Sequence, residues 1–310
     1  MRKTILFSAI LSGIFLTGTI AVKAQKSEAA LASIDYEFVH VNDTNNRDKP
    51  IKLSMRVYLG VEGSHYVNQS MAEARERLEA RMREMNLASS GTVSGVRINM
   101  GSSYSRSGAE EFFLFPTQKK LIMTDQIATT EYLVEHNFPD LDWEIGEETK
   151  EIDGFFVQAA RTSFGGRDYT AWFAPELPFS FGPWKLHGLP GLILEARDET
   201  AEVQFNFKNF DRLEEGQVAI ALPEKGVKAT PTQFARAKAA FQENPTAGIQ
   251  NSLPASGNTV RETRLVVREA SGGNQRVLSG AEAEAEMERL RLQRISSNNN
   301  PVERETKKKN

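Results

Sequence analysis

Apolar and polar residues begin to alternate at Ser33. Tyr36, Phe38 and His40 fall on one parity against Asp35, Glu37 and Val39, and Ile51, Leu53, Met55, Val57 and Leu59 then oppose Lys52, Ser54, Arg56 and Tyr58. A period of two predicts two half-buried strands, and the Asn- and Asp-rich stretch from Asn42 to Pro50 predicts the loop between them. The period then changes. Met71, Ala74, Leu78, Met82 and Met85 recur every three or four residues within Asn68 to Ala88, with charges between them, which predicts an amphipathic helix. Its methionine-rich stripe is expected to pack on a sheet; contact with a partner or with lipid is the other use of such a stripe.

Short apolar runs follow at Val96 to Met100, Phe112 to Phe115, Leu121 to Met123 and Tyr132 to Val134, separated by Gly, Pro, Lys or Thr. This spacing predicts an antiparallel meander. Gly165-Gly166 between Glu151 to Ser163 and Arg167 to Ala174 is a two-residue hairpin signal. Val203, Phe205 and Phe207 alternate with Gln204, Asn206 and Lys208 after the polar turn Asp198-Glu199-Thr200, predicting a further hairpin. Beyond Leu222 the periodicity weakens to a helical stretch at Thr232 to Gln242, a last strand within Val260 to Val267 and a charged helix over Gly280 to Ile295. Pro245 to Asn258 and Ser296 to Asn310 have the composition of linker and tail, so the tail is expected to add little stability. The fold class expected is mainly β (α+β): roughly ten strands in a strongly curved antiparallel sheet or open barrel, with one packed amphipathic helix and a helical, partly disordered C-terminal region.

The second hairpin is preceded by Gly182-Pro183-Trp184-Lys185-Leu186-His187-Gly188-Leu189-Pro190-Gly191-Leu192-Ile193-Leu194. Pro190 fixes its own φ and pushes Leu189 toward extended geometry, and Gly191 can take the positive φ required at the third residue of a type II turn. Leu189 to Leu192 is therefore expected to be a tight turn feeding a buried strand. The hexamer resembles the signature of the GLPGLI family of secreted Bacteroidota proteins. The resemblance extends through Trp143 to Gly154, Gly166 to Pro175 and Leu177-Pro178, and to a closing Asn300-Pro301-Val302-Glu303. Where many members carry a cysteine this chain has Val157, so no cysteine-dependent role carries over. The resemblance implies export and leaves the function open, because the family is uncharacterised.

Composition places the chain in a compartment. Met1 to Ala24 has a basic start at Arg2 and Lys3, an apolar run from Ile5 to Val22 and small residues at Val22-Lys23-Ala24, the layout of a secretory signal cleaved before Gln25. An uncleaved membrane anchor is the alternative use of such a segment. Three main units are expected: signal peptide 1–24, a main β domain 25–225 carrying the signature, and a C-terminal extension 226–310. Losing the three basic residues of the signal takes the formal charge from −3 to −6, which argues against nucleic acid as a partner. There is no cysteine, so a core rather than disulfides must hold the exported chain together.

Candidate chemistry is sparse. No Gly-x-Ser-x-Gly elbow, phosphate-binding loop, Gly-x-Gly-x-x-Gly turn or His-Glu-x-x-His helix occurs. Asp140, Asp142 and Glu144 alternate like a calcium loop, but Ile145 stands where that loop needs glycine. Trp172, Phe179, Phe181 and Trp184 crowd the approach to the signature and either line an apolar pocket or fill the core. The candidate binding residues are Trp172, Trp184, His187, Gly188, Leu189, Pro190 and Gly191; no catalytic residue, cofactor or metal is assigned. The expected function is a non-enzymatic exported module of the periplasm, cell envelope or exterior, binding an apolar or peptide ligand or an envelope protein. The alternative is a hydrolase built on His187 with Glu195 or Asp198.

Overall fold

The computed structural model describes residues 27–70, 73, 110–127, 130–214, 216–243, 264–268, 275–279 and 296–304, with positions 282, 285–286, 288–289 and 292. In chain order the strands are β1 (Glu28–Ala29), β2 (Ala32–His40), β3 (Ile51–Leu59), β4 (Ser64–Asn68), β5 (Glu111–Phe115), β6 (Lys120–Ile127), β7 (Thr130–His136), β8 (Glu144–Ile152), β9 (Phe155–Phe164), β10 (Arg167–Ala174), β11 (Leu192–Asp198), β12 (Val203–Arg212), β13 (Ala219–Ile220) and β14 (Val227–Ala229). Helix α1 (Pro231–Glu243) follows, then the hairpin β15 (Arg264–Arg268) and β16 (Gln275–Ser279).

Twelve strands form one sheet in the order β14-β7-β6-β5-β4-β3-β2-β12-β11-β10-β9-β8. Two antiparallel meanders, β2 to β7 and β8 to β12, are joined side by side through the long β2–β12 pairing from Ala32 opposite Arg212 to His40 opposite Val203. The short parallel strand β14 caps one edge and β8 the other, so the sheet stays open and does not close into a barrel. The Gly165-Gly166 turn has φ of 58° and 71°, the left-handed pair that a two-residue hairpin demands. Asp153-Gly154, with φ of 49° and 84°, makes the same turn between β8 and β9.

The amphipathic helix expected over Asn68 to Ala88 lies mostly outside the described residues; Asn68 closes β4, and Gln69, Ser70 and Glu73 are helical. The described helix that packs on the sheet is α1. Thr230 and Gln233 exchange side-chain to backbone bonds of 3.2 and 2.8 Å, a capping box with Pro231 at the first helical position. Its one buried residue, Phe234, meets Tyr132 of β7 edge-on at 5.4 Å.

The main core lies on the sheet face where Ile34, Tyr36, Met55, Val57, Leu59 and Phe205 are wholly buried. A smaller cluster of Phe113, Phe115, Ile122 and Leu133 with Ala30 and Ile220 is a separate packing unit. Adjacent residues of the 175–191 segment reach strands far apart in the sheet. The Trp184 ring lies 5.4 Å from Phe164 of β9, and Lys185 Nζ lies 5.2 Å over Phe112 of β5. Seven strand spacings separate β9 from β5, on the order of 34 Å in a flat sheet, so the sheet bends around this segment.

Candidate functional site

Strand β11 begins as the sheet's ladder parts. It pairs with β12 only at Ala196 and Arg197, although both strands are longer than that. The first half of β11 bonds instead to the 175–191 loop: Leu192 N–H donates to the Leu177 carbonyl and Ile193 N–H to the Phe181 carbonyl, each at 3.0 Å. Tyr36 Oη reaches across from β2 and donates to the Ile193 carbonyl at 2.5 Å. Burial pushes the Tyr36 hydroxyl well above its usual pKa, so it serves here as a fixed donor.

Glycines make this close approach possible. A Cβ at Gly191 would stand 2.3 Å from the Ala174 carbonyl oxygen and 2.9 Å from Pro175 Cα, and a Cβ at Gly182 would stand 2.8 Å from Ile193. The expected type II turn is not what forms. Gly191 N–H bonds to the Leu189 carbonyl at 2.8 Å and its φ of 159° is nearly extended. Glycine is needed at 191 because backbone passes against backbone, not because a turn demands left-handed geometry. The left-handed residues of the segment are Trp184, at φ 57°, and Gly188, at φ 94°. Trp184 is held there by Phe164, Tyr169 and Phe205 around its ring.

His187 forms an isolated bridge with Phe181, and its carbonyl accepts a 2.8 Å bond from Trp143 Nε1. Its Nε2 lies 3.2 Å from the Pro139 carbonyl and its ring 4.8 Å from Phe138. Burial pushes the His187 pKa down, so the ring is neutral at pH 7 and Nε2–H is the donor. Glu195 is held by Lys150 Nζ at 2.5 Å and Asp198 by Arg167 at 2.6 Å. The histidine and the two carboxylates of the hydrolase alternative therefore have separate partners. Trp172 also stands apart: it has opposite parity to Tyr169, the β10 residue that Trp184 packs against, and it lies under Lys150 Nζ at 4.5 Å. Among the described residues no group of three His, Asp or Glu side chains is placed to hold a metal ion.

Two features were not anticipated from sequence. One is a groove of about 620 Å³ at the sheet's rim, lined by Leu31, Val61, Pro116, Phe179, Phe181 and Arg212 among others. Val61 is 74% exposed and Leu31 40%, high values for large apolar side chains. Only the 178–181 stretch of the anticipated aromatic crowd reaches this groove. The other feature is the docked C-terminal segment. Residues 297–304, expected to be a loose tail, lie across the Gly165-Gly166 turn and the ends of β2 and β12, and Asn300 is 3% exposed. Arg167, buried at the start of β10, satisfies all its guanidinium donors there: Nη1 to Asp198 (2.6 Å) and Glu202 (3.3 Å), Nη2 to Asn300 Oδ1 (2.7 Å) and the Pro301 carbonyl (2.8 Å), and Nε to the Val302 carbonyl (2.9 Å). Lys185 of the loop pairs with Glu303. The one sequence signal for this segment was Asn300-Pro301-Val302-Glu303.

A family model described as a protein of unknown function (Porph_ging) matches residues 165–195. The match spans the Gly165-Gly166 turn, β10, the loop and the first half of β11, the segment around which the sheet bends. Among solved structures the chain is similar to PNGF-II in the P21 and C2 space groups, at 12% identity in both, with TM-scores of 0.46 and 0.45. These alignments cover 78% of this chain and 35% of the other, so the chain spans about a third of that protein's length. No curated protein matches it in sequence.

Proposed function

We propose that this chain is an exported binding module, not an enzyme, that takes an extended apolar peptide at the rim groove beside the signature loop. The observation that supports this most is the groove itself, with Leu31 and Val61 exposed on it and Phe179 and Phe181 of the loop among its lining residues. Glu62, Thr117, Ser180 and Arg212 also line it and offer partners to the polar backbone of a bound peptide. An extended chain needs both kinds of contact, apolar side-chain slots and backbone partners. On this reading the signature residues Gly188, Leu189, Pro190 and Gly191 are architectural; they position Phe179 and Phe181 without touching ligand. His187 neutral and bonded to a carbonyl supports the same division, since a general base needs an accessible ring nitrogen and a nucleophile in reach. Export through the Met1 to Ala24 segment, and a net negative charge that disfavours nucleic acid, belong to the same proposal. No described helix is long and apolar enough to cross a membrane.

The test is a titration of the chain with fluorescein-labelled hexapeptides rich in leucine and valine and, in parallel, with a labelled fatty acid. Saturable peptide binding that is lost in Val61→Glu and kept in His187→Ala is the expected result. Saturation by fatty acid alone would replace the peptide with a lipid ligand. Absence of saturable binding, or cleavage of the probe that disappears in His187→Ala, would overturn the proposal.

A further inference from the structure

The docked segment 297–304 buries one side chain, Asn300, which is 3% exposed, and holds Asn299, Glu303 and Arg304 at its margins. Every polar group of Asn300 has a partner. Its N–H donates to the Asn42 carbonyl at 3.1 Å, its carbonyl accepts from His40 Nε2 at 2.7 Å, Nδ2 donates to the Val41 carbonyl (2.7 Å) and Glu202 (2.9 Å), and Oδ1 accepts from Arg167 (2.7 Å). An aspartate here would set a carboxylate against Glu202 and a carbonyl that both require a donor. The residues that follow are held through their backbone, Pro301 and Val302 by Arg167 and Arg304 N–H by the Gly165 carbonyl at 2.8 Å, and through two exposed-side charges, Glu303 on Lys185 and Arg304 on Glu202 at 2.6 Å. At Gly166 a Cβ would come 2.9 Å from Arg304 Cβ, so the turn's glycine also clears room for the segment. One discriminating buried side chain, followed by backbone contacts and ion pairs over the next few residues, is how folded domains recognise short peptides.

We infer that the cleft around Arg167 is a peptide-recognition site for an Asn-Pro-Val-Glu segment, and that residues 297–304 are its resident ligand. The segment binds in cis, at an effective concentration that a free peptide must exceed to displace it. A second copy's segment, or a like sequence on another protein, enters only when the resident leaves. This site lies apart from the rim groove and stands independently of what that groove binds.

The experiment inserts a site-specific protease sequence after Gly257 in the full chain, cuts it, and follows the C-terminal fragment by size exclusion while adding the synthetic peptide Ser-Asn-Asn-Asn-Pro-Val-Glu-Arg. The fragment is expected to stay bound after cutting and to leave as the peptide saturates the body, with the peptide carrying Asn300→Asp at least 10-fold weaker. Three results overturn the inference: a fragment that leaves on cutting with no peptide binding, a fragment that a hundredfold excess of peptide cannot displace, or equal competition by the aspartate peptide. If the insertion prevents folding, amide hydrogen exchange on the intact wild-type chain decides the matter. Amides of Asn300 and Arg304 exchanging ahead of those in β10 support a ligand that opens on its own, and exchange of both only through global unfolding contradicts it.

Discussion

At the residue scale, the burden falls on Arg167, Glu202 and His40. Arg167 is a wholly buried cation whose donors are all used, so removing it leaves the buried Asp198 without its ion-pair partner, while Glu202 keeps Arg47 and Arg304. Arg167→Met is expected to cost about 3–5 kcal/mol in urea unfolding, and Arg167→Lys to recover little of it, since an ammonium lacks the planar five-donor fork. Burial works to raise the Glu202 pKa, but hydrogen bonds from Arg47, Asn300 and Arg167 outweigh it and hold the carboxyl at about 2, below its ordinary 4.5. Burial pushes His40 below 6.5, against the bond to the Asn300 carbonyl. Both folded-state values are depressed, so both groups stabilise the fold fully above their unfolded values and lose that contribution as pH falls. Stability should begin to decline below about 6.5, as His40 and the likewise depressed His136 and His187 take up their protons in the unfolded chain, and decline further from about 4.5 toward 2 through Glu202. Glu110, raised by burial, acts in the opposite direction in the carboxylate range. Urea midpoints measured from pH 7 to pH 3 should therefore fall less steeply below pH 4.5 in Glu202→Gln than in wild type; parallel curves would show that Glu202 is not the acid-sensitive group.

At the element scale, the C-terminal segment and the two sheet edges make separate predictions. Truncation before Ser297 removes the contacts of Asn300 to Arg304 and leaves Arg167 with donors unmet; a loss of about 3 kcal/mol lowers Tm by roughly 6–12 °C in a domain of this size. An unchanged Tm would restore the loose tail that composition implies. That misreading has a physical origin: the segment is polar, and its burial depends on a guanidinium 133 residues earlier in the chain. Strand β8 was hidden for the opposite reason. Glu144–Ile152 is largely exposed, so no apolar period marks it, and its acidic start resembled a metal loop. Its charges suit an edge, where unpaired backbone groups invite another strand. Replacing Glu147 and Glu151 by valine is expected to produce dimers or larger species in light scattering, and a monomer at all concentrations would contradict this role. Strands that were legible, such as β3, the middle of β2 and the start of β12, alternate in burial and so carry period two openly.

At the scale of the whole molecule, the architecture is two meanders joined edge to edge and bent around one loop. Local pattern revealed most strands of the two meanders, with the expected strand at Val96 to Met100 lying outside the described residues, but it missed β8 and the β2–β12 seam; pairing between residues some 160–180 positions apart leaves no periodic trace. The loop's importance was legible from Gly182, Pro183, Pro190 and Gly191; its mechanism was not. Turn chemistry assigns Gly191 a dihedral requirement, whereas the folded chain uses it for clearance against Ala174 and Pro175, a neighbour visible only once β10 and β11 lie side by side. Ile193, wholly buried and bonded on both sides, shares that corner, so Ile193→Asp is expected to be at least as damaging through its unpaired carboxylate. The central claim is that this corner holds the bent sheet together. Urea unfolding of Gly191→Ala tests it most directly, because a single methyl group is added and no charge or turn propensity is introduced that favours another structure. A loss of about 2–4 kcal/mol is predicted from forcing backbone away from backbone at a packed site, and unfolding at the wild-type midpoint would contradict it.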